Sequence, residues 1–287
     1  MDGKAVDLAI LGLARDCAQT LPSFLRLVAE LEADGISSLV IVGENGSRDG
    51  TRALLLQAAR RGVLRVEDTG FMAREPRFRR MALGRQALAD ALRGTGIASE
   101  FVCVLDLDAP MRTPPNVASL RRAMSRLNGD PDIFAVAATS RPSYYDLIAF
   151  DDGRICFEGL ARTIKQSERN PIAYYRLFDQ TIYPAQAALT TNRELRCLSA
   201  FNGLALYRAS DYAQGGYVTE TPAEICEHLT FNRAIASASG KSMVVDPGLR
   251  VDMPAEHGRK PFLPFWIQRA RKLAQRLRPT KASATSA

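Results

Sequence analysis

Asp106 and Asp108 stand two apart, directly behind the apolar run Phe101-Val102-Cys103-Val104-Leu105. Side chains two apart in extended backbone point to the same side. Both carboxylates therefore face one spot while Leu107 turns to the core. Two hard oxygen donors so placed suit Mg²⁺ or Mn²⁺ bound jointly with a diphosphate; a solvated turn is the plainer alternative. A second polar concentration, Glu44-Asn45-Gly46-Ser47-Arg48-Asp49-Gly50-Thr51, follows another apolar run. Gly46 and Gly50 supply tight turns and Asp49 or Thr51 can cap a helix, but Glu44 is a poor turn former with no such reason to be there. Arg77, Arg80 and Arg85 lie on one basic stretch and Arg15 just past the first apolar run. Guanidinium groups there could grip phosphate through paired hydrogen bonds or simply form a solvated helix face.

Further along, Tyr144-Tyr145-Asp146 offers aromatic faces for a pyranose ring and a carboxylate for its hydroxyls, or an ordinary half-buried strand. Gly203, behind Asn202, would let a ligand close to the backbone. The chain has only two histidines, His228 and His257. Glu227, beside the first, reads either as a functional carboxylate or as compensation for the dipole at a helix start.

These residues need a scaffold, and the apolar patterning supplies one. The run from Val6 to Leu13 reads as a buried parallel strand, and Leu21, Phe24, Leu25, Val28 and Leu31 recur at helical spacing behind it. Strands over 38–42, 63–67 and 101–105 alternate with helices over 51–60 and 78–92. That alternation predicts an α/β fold with a mostly parallel sheet, helices on both faces, and ligands beyond the carboxyl ends of the strands. Ala14-Arg15-Asp16-Cys17, not G-x-G-x-x-G, follows the first strand, which argues against a dinucleotide-binding domain. The same missing glycine-rich loop speaks against a sugar-1-phosphate nucleotidyltransferase. After Asp108 the pattern loosens, with strands expected over 133–138, 200–207 and 242–245 and a helix over 222–237.

The acidic-x-Gly-Ser-x-Asp-Gly-Thr turn at 44–51 resembles that of nucleotide-sugar transferases with the GT-A fold. Four further blocks narrow the resemblance: the basic helix 77–86, Ser143-Tyr144-Tyr145-Asp146, Ser199 to Tyr207, and Cys226-Glu227-His228. In this order, over residues 6–252, they resemble the capsule-associated α-1,3-mannosyltransferases, glycosyltransferase family 69, as a bacterial member. Two positions depart from that family, which tends to show Asn-Asp-Val at 106–108 and Asn at 86. The resemblance implies a retaining, metal-dependent transfer of mannose from GDP-mannose to a saccharide or lipid-linked saccharide in envelope or exopolysaccharide assembly. It implies that Glu44 and Asp49, with Arg15, Arg80 and Arg85, hold the nucleotide. Asp106 and Asp108 would hold the metal with His257 as third ligand, Glu227 and His228 would sit at the reacting centre, and Tyr144, Tyr145, Asp146, Asn202 and Gly203 at the acceptor or sugar. An inverting UDP-sugar transferase with Glu227 as general base, and a non-catalytic membrane-surface protein on the same fold, are the rival readings.

Charge completes the picture. The chain of 287 residues carries +7, but residues 258–287 hold eight basic side chains and no Asp or Glu, leaving −1 on the rest. The near-neutral body argues against nucleic acid as a partner. We expect a catalytic domain over 1–258 and a basic amphipathic helix with a tail over 259–287. Phe262, Phe265, Trp266, Leu273 and Leu277 form the apolar side of that helix, suited either to an anionic membrane surface or to the body itself. Without a membrane-spanning run or a signal-like N-terminus, the expected location is the cytoplasm, peripheral on the inner face of the membrane. Five widely spaced cysteines point to reduced, mostly buried thiols.

Overall fold

The structure is a computed structural model and describes residues 5–217 and 225–277. Eight strands form one sheet: β1 (Ala5–Ala14), β2 (Ser38–Glu44), β3 (Arg65–Asp68), β4 (Ala98–Asp106), β5 (Ile133–Arg141), β6 (Leu195–Cys197), β7 (Leu204–Arg208) and β8 (Ser242–Asp252). Their order is β3-β2-β1-β4-β7-β5-β8-β6. β1 to β4 pair in parallel, as do β5 and β8. β7 runs antiparallel between β4 and β5, and β6 antiparallel to β8. In β1, Leu8 and Ile10 enter one core while Ala9 and Leu11 enter the other, so a continuous apolar run is what a strand covered on both faces requires.

Helices α1 (Leu21–Ala33), α2 (Thr51–Arg60) and α4 (Val117–Gly129) cover one face through Phe24, Leu27, Leu55 and Leu120. Helix α3 (Arg77–Gly94) covers the other. It is joined there by α5 (Leu160–Ser167), α6 (Pro171–Leu177) and α7 (Tyr183–Leu189). A single turn, α8 (Ala209–Tyr212), and α9 (Glu227–Ser239) complete that layer. A π-helical turn, Phe178–Ile182, links α6 to α7. Local chemistry sets the ends: Pro22 sits in the first turn of α1, the Asn116 side chain accepts the Ser119 N–H at 2.9 Å, and Gly240 closes α9 at φ +69°.

The expected parallel α/β core is present, with differences in its second half. The strand expected over 200–207 begins only at Leu204, because the chain at Leu198 and Ser199 instead donates to the Asp151 carbonyl. Residues 160–189, which carry no clear sequence pattern, form three short helices. The first part of the helix expected over 222–237 falls outside the described residues, and α9 starts at Glu227. All five cysteines are free thiols, four of them buried. The basic C-terminal segment forms α10 (Phe262–Leu277). Phe265 is buried against Tyr174, Tyr175 and Phe178, and Arg269 lies 4.0 Å over the Tyr174 ring while pairing with Glu168 at 2.6 Å. The start of α10 therefore docks on the body beyond the expected 258/259 boundary, while Phe262, Leu263 and Ile267 stay exposed. The side chains of Leu273 and Leu277 lie outside the described residues.

Candidate active site

Asp106 ends β4, and its backbone N–H donates to the Gly203 carbonyl at 2.9 Å. Gly203 sits at φ +84°, and a Cβ there would come within 2.7 Å of Pro110 Cγ and Tyr145 Oη, so the close approach of β4 and β7 at this end needs glycine. Leu107 turns inward and is buried, which leaves Asp106 and Asp108 on the outer side as the alternation requires. Asp108 opens a short 3₁₀ turn, Ala109–Arg112, inside a concavity. Loss of surrounding water, then the charges of Asp106 and Glu256, push its carboxyl up to about 6. Crowded oxygen donors of this kind fit a hard divalent cation. His257 lines the same cavity, its ring 5.2 Å from that of Tyr145 and its Nε2 3.7 Å from Glu256 Oε1. The three candidate ligands thus share a cavity, although no group of three His, Cys, Asp or Glu side chains among the described residues converges as a ready cation cage.

The basic helix divides by phase. Arg77 borders the cavity beside the two aspartates, and Arg80 is half-buried behind it. Burial, then the neighbouring charges of Arg15 and Arg77, lower the proton affinity of Arg80. Arg77, beside the two carboxylates, thus shares one positive field with Arg80 and Arg15, an arrangement that fits a diphosphate bridged to a cation. Arg85 belongs elsewhere. It is 1% exposed, donates through Nη1 to the Leu105 carbonyl at 3.0 Å, and pairs through Nη2 with Asp106 Oδ1. It cannot reach a phosphate in this position, and its work is to orient Asp106.

The turn after β2 is likewise a brace. Glu44, expected to face the nucleotide, is 1% exposed. Its Oε1 accepts the Ser47 N–H at 2.6 Å and its Oε2 accepts from Arg52 at 2.7 Å. Asp49 stays exposed but accepts from Thr51 N–H at 2.9 Å and Ala18 N–H at 3.0 Å. Partial loss of water raises its proton affinity, and these hydrogen bonds outweigh that and lower it overall. Together with Asp16, at φ +54° and accepting the Arg48 N–H at 2.7 Å, Asp49 latches the turn to the loop after β1. Arg15 remains partly exposed on that loop, 3.9 Å from Asp16.

Of the expected sugar residues, Tyr145 and Asp146 line the cavity. Asn202 is buried behind them, its Oδ1 accepting the N–H groups of Tyr145 at 3.0 Å and Asp146 at 3.1 Å. It positions the pair rather than touching a ligand. Tyr144 points the other way and is fully buried, its ring edge-on to Phe150 at 6.0 Å, so it is core and not a sugar platform. The Asp146 carboxyl is pushed up to about 8 by burial and by Asp106, against the opposing charge of Arg77.

Glu227 and His228 are recessed at 4% and 2% exposure and do not line the cavity. His228 stacks on Phe201 with centroids 3.5 Å apart at 11°. Neither ring nitrogen has a hydrogen-bond partner among the described residues, and burial holds the imidazole neutral, well below its usual range. The Glu227 carboxyl is raised by the same burial, against the charge of Arg85. The N-terminus of α9 stacks His228 on Phe201 and keeps both side chains out of the cavity lining, with the Glu227 carboxyl still within the field of Arg85, Asp106 and Asp146. Sequence reading overlooked Arg112, which borders the cavity at the end of the 3₁₀ turn, and the apolar side chains of α5 and α6 that form its far end.

No family model and no curated protein matches the chain. Among solved structures, it is similar to the mannosyltransferase PcManGT from Pyrobaculum calidifontis in complex with GDP-Man and Mn²⁺, at 19% identity and TM-score 0.48 over 97% of this chain and 68% of that one. It is similar to glucosyl-3-phosphoglycerate synthase from Mycobacterium tuberculosis in complex with Mn²⁺, UDP and glucosyl-3-phosphoglycerate, at 12% identity and TM-score 0.45 over 95% and 79%. GalNAc-T7 with UDP, GalNAc and Mn²⁺ aligns at 10% identity and TM-score 0.50 over 86% of this chain and 43% of that one. The fold is GT-A. In that fold Asp106 and Asp108 lie at the carboxyl end of a central strand, the edge of an α/β sheet where ligands bind.

Proposed function

We propose that the chain is a metal-dependent glycosyltransferase that moves a hexose, with mannose from GDP-mannose the favoured donor, to a saccharide acceptor in envelope or exopolysaccharide assembly. One juxtaposition carries this reading: two aspartates sharing one side of a strand end, with Arg77 lining the same cavity in front of them. Asp106 and Asp108 would hold Mn²⁺ or Mg²⁺, with His257 as the third ligand. Bound there, the cation neutralises charge building on the departing diphosphate. Arg77 and Arg80, helped by Arg15, hold the phosphates, and Arg85 keeps Asp106 oriented. Asp146, its carboxyl raised by burial, faces the sugar or acceptor from the cavity wall. Glu227, the general base of the inverting alternative, is 4% exposed and outside the cavity lining, which favours the retaining reading over a route through that residue.

The exposed Phe262, Leu263 and Ile267, beside Arg259, Lys260 and Arg269, support a peripheral seat on an anionic membrane, on its cytoplasmic face. No helix among the described residues is long and apolar enough to cross a membrane. The deciding experiment is a screen of GDP- and UDP-sugars for hydrolysis with Mn²⁺, Mg²⁺ or a chelator. Metal-dependent release of GDP from GDP-mannose is expected. Failure of every donor, with binding to anionic vesicles retained, would overturn the enzymatic reading in favour of a surface-binding protein.

A further inference from the structure

The cavity in front of the aspartates, of about 770 Å³, runs away from the nucleotide turn. Arg15, Glu44 and Asp49 do not line it; Asp106, Asp108, Tyr145 and Asp146 form its near end. Away from them the wall carries a run of apolar side chains, Leu160 and Ile164 of α5, Phe178 and Ile182 of the π-helical link, and Phe265 of α10, with Lys165 and the paired Glu168 and Arg269 also in the lining. Helix α5 is amphipathic yet buries no residue; Leu160 and Ile164 are only half-buried and face this space. Phe265 reaches the same wall, held by Phe178 at 5.4 Å and by the Arg269 stack on Tyr174. One continuous space therefore joins a carboxylate-lined end to an apolar end. An oligosaccharide filling it would set many of its hydroxyls against Leu160, Ile164, Phe178, Ile182 and Phe265, which can neither donate nor accept, while Arg269 and Glu168 in the same lining are already paired with each other.

We infer that the acceptor is an amphiphile: a sugar or hydroxyl head at Tyr145 and Asp146, with an apolar chain against Leu160, Ile164 and Phe265. The orientation of the head rests on the transferase reading; the apolar end rests on the cavity alone. Exposed Ile172, Phe262 and Leu263 on the neighbouring surface of α6 and α10 provide the apolar ground over which such a molecule would arrive.

The test uses methyl, hexyl and octyl α-mannosides, below their micelle concentrations, titrated calorimetrically into the full chain with Mn²⁺ and GDP. Affinity should rise with chain length, at least tenfold from methyl to octyl. Ile164→Gln and Leu160→Gln, both at half-buried positions and each checked for an unchanged thermal midpoint, should each cut the octyl gain severalfold and leave the methyl affinity unchanged. Equal affinities across the series, or an octyl gain that both variants leave intact, would overturn the inference. Donor hydrolysis without acceptor is scored separately: its absence with the alkyl preference present would sink the transferase reading while upholding the amphiphile site.

Discussion

Replacing Arg85 by Met separates a residue that orients the site from one that grips the donor. The guanidinium is buried, its partner Asp106 is 27% exposed, and it also caps the Leu105 carbonyl and lies 5.5 Å over the Phe201 ring. Removing one member of a fully buried pair costs about 3–5 kcal/mol, because the other charge is stranded. Here the stranded carboxylate regains water, which reduces that figure. The lost charge-assisted bond to Leu105 adds back about 1.5–3 kcal/mol. We therefore expect Arg85→Met to lower the unfolding free energy by about 3 kcal/mol, read as a shift of the urea midpoint at constant slope. Affinity for GDP without divalent cation, measured at a temperature where the variant is folded, should change less than threefold. A stability equal to the parent's with a tenfold loss of GDP affinity would refute the assignment and return Arg85 to the diphosphate.

Glu44→Ala should likewise act through the fold: it strips partners from the Ser47 N–H and Arg52, and about 2–3 kcal/mol of stability should be lost in chemical denaturation. Unchanged stability with weakened nucleotide binding would place Glu44 on the ligand instead. Asp146 sets a pH signature. With its folded pKa raised to about 8 from 3.8, the stability it contributes is fully present below about pH 4 and is lost as pH rises through 8. In divalent-free buffer the slope between pH 5 and 8 should approach about −1.4 kcal/mol per pH unit from this group, and Asp146→Asn should flatten it. A parent profile no steeper than that of Asp146→Asn would contradict the burial argument.

Much of this was legible in the chain because burial on both faces writes β1, β2 and β4 as continuous apolar runs. The period of two after Leu105 likewise marks Asp106 and Asp108 as partners. Arg85 also carried a readable signal: Ala82, Arg85, Leu88 and Ala89 form one buried helical stripe, whereas Arg77 and Arg80 fall outside it. A basic run reads as one feature until helix phase divides it. Tyr144 and Tyr145 show the same division, adjacent residues sent to core and cavity. Glu44 could not be resolved from sequence, since a carboxylate at a strand end looks alike whether it faces a ligand or the turn beneath it. Helices α5 to α7 were hidden because they are short, punctuated by Pro171 and Pro184, and only partly buried, so no apolar period builds up.

The central claim, that Asp106 and Asp108 form a cation site serving a nucleotide diphosphate, is tested most directly by titrating GDP into the parent and Asp108→Asn with and without Mn²⁺. Asp108 has no ion pair to lose among the described residues, so the variant should keep its stability within about 1 kcal/mol. Mn²⁺ should strengthen GDP binding to the parent at least tenfold and leave binding to Asp108→Asn unchanged. The same Mn²⁺-dependent gain in both proteins would contradict the account.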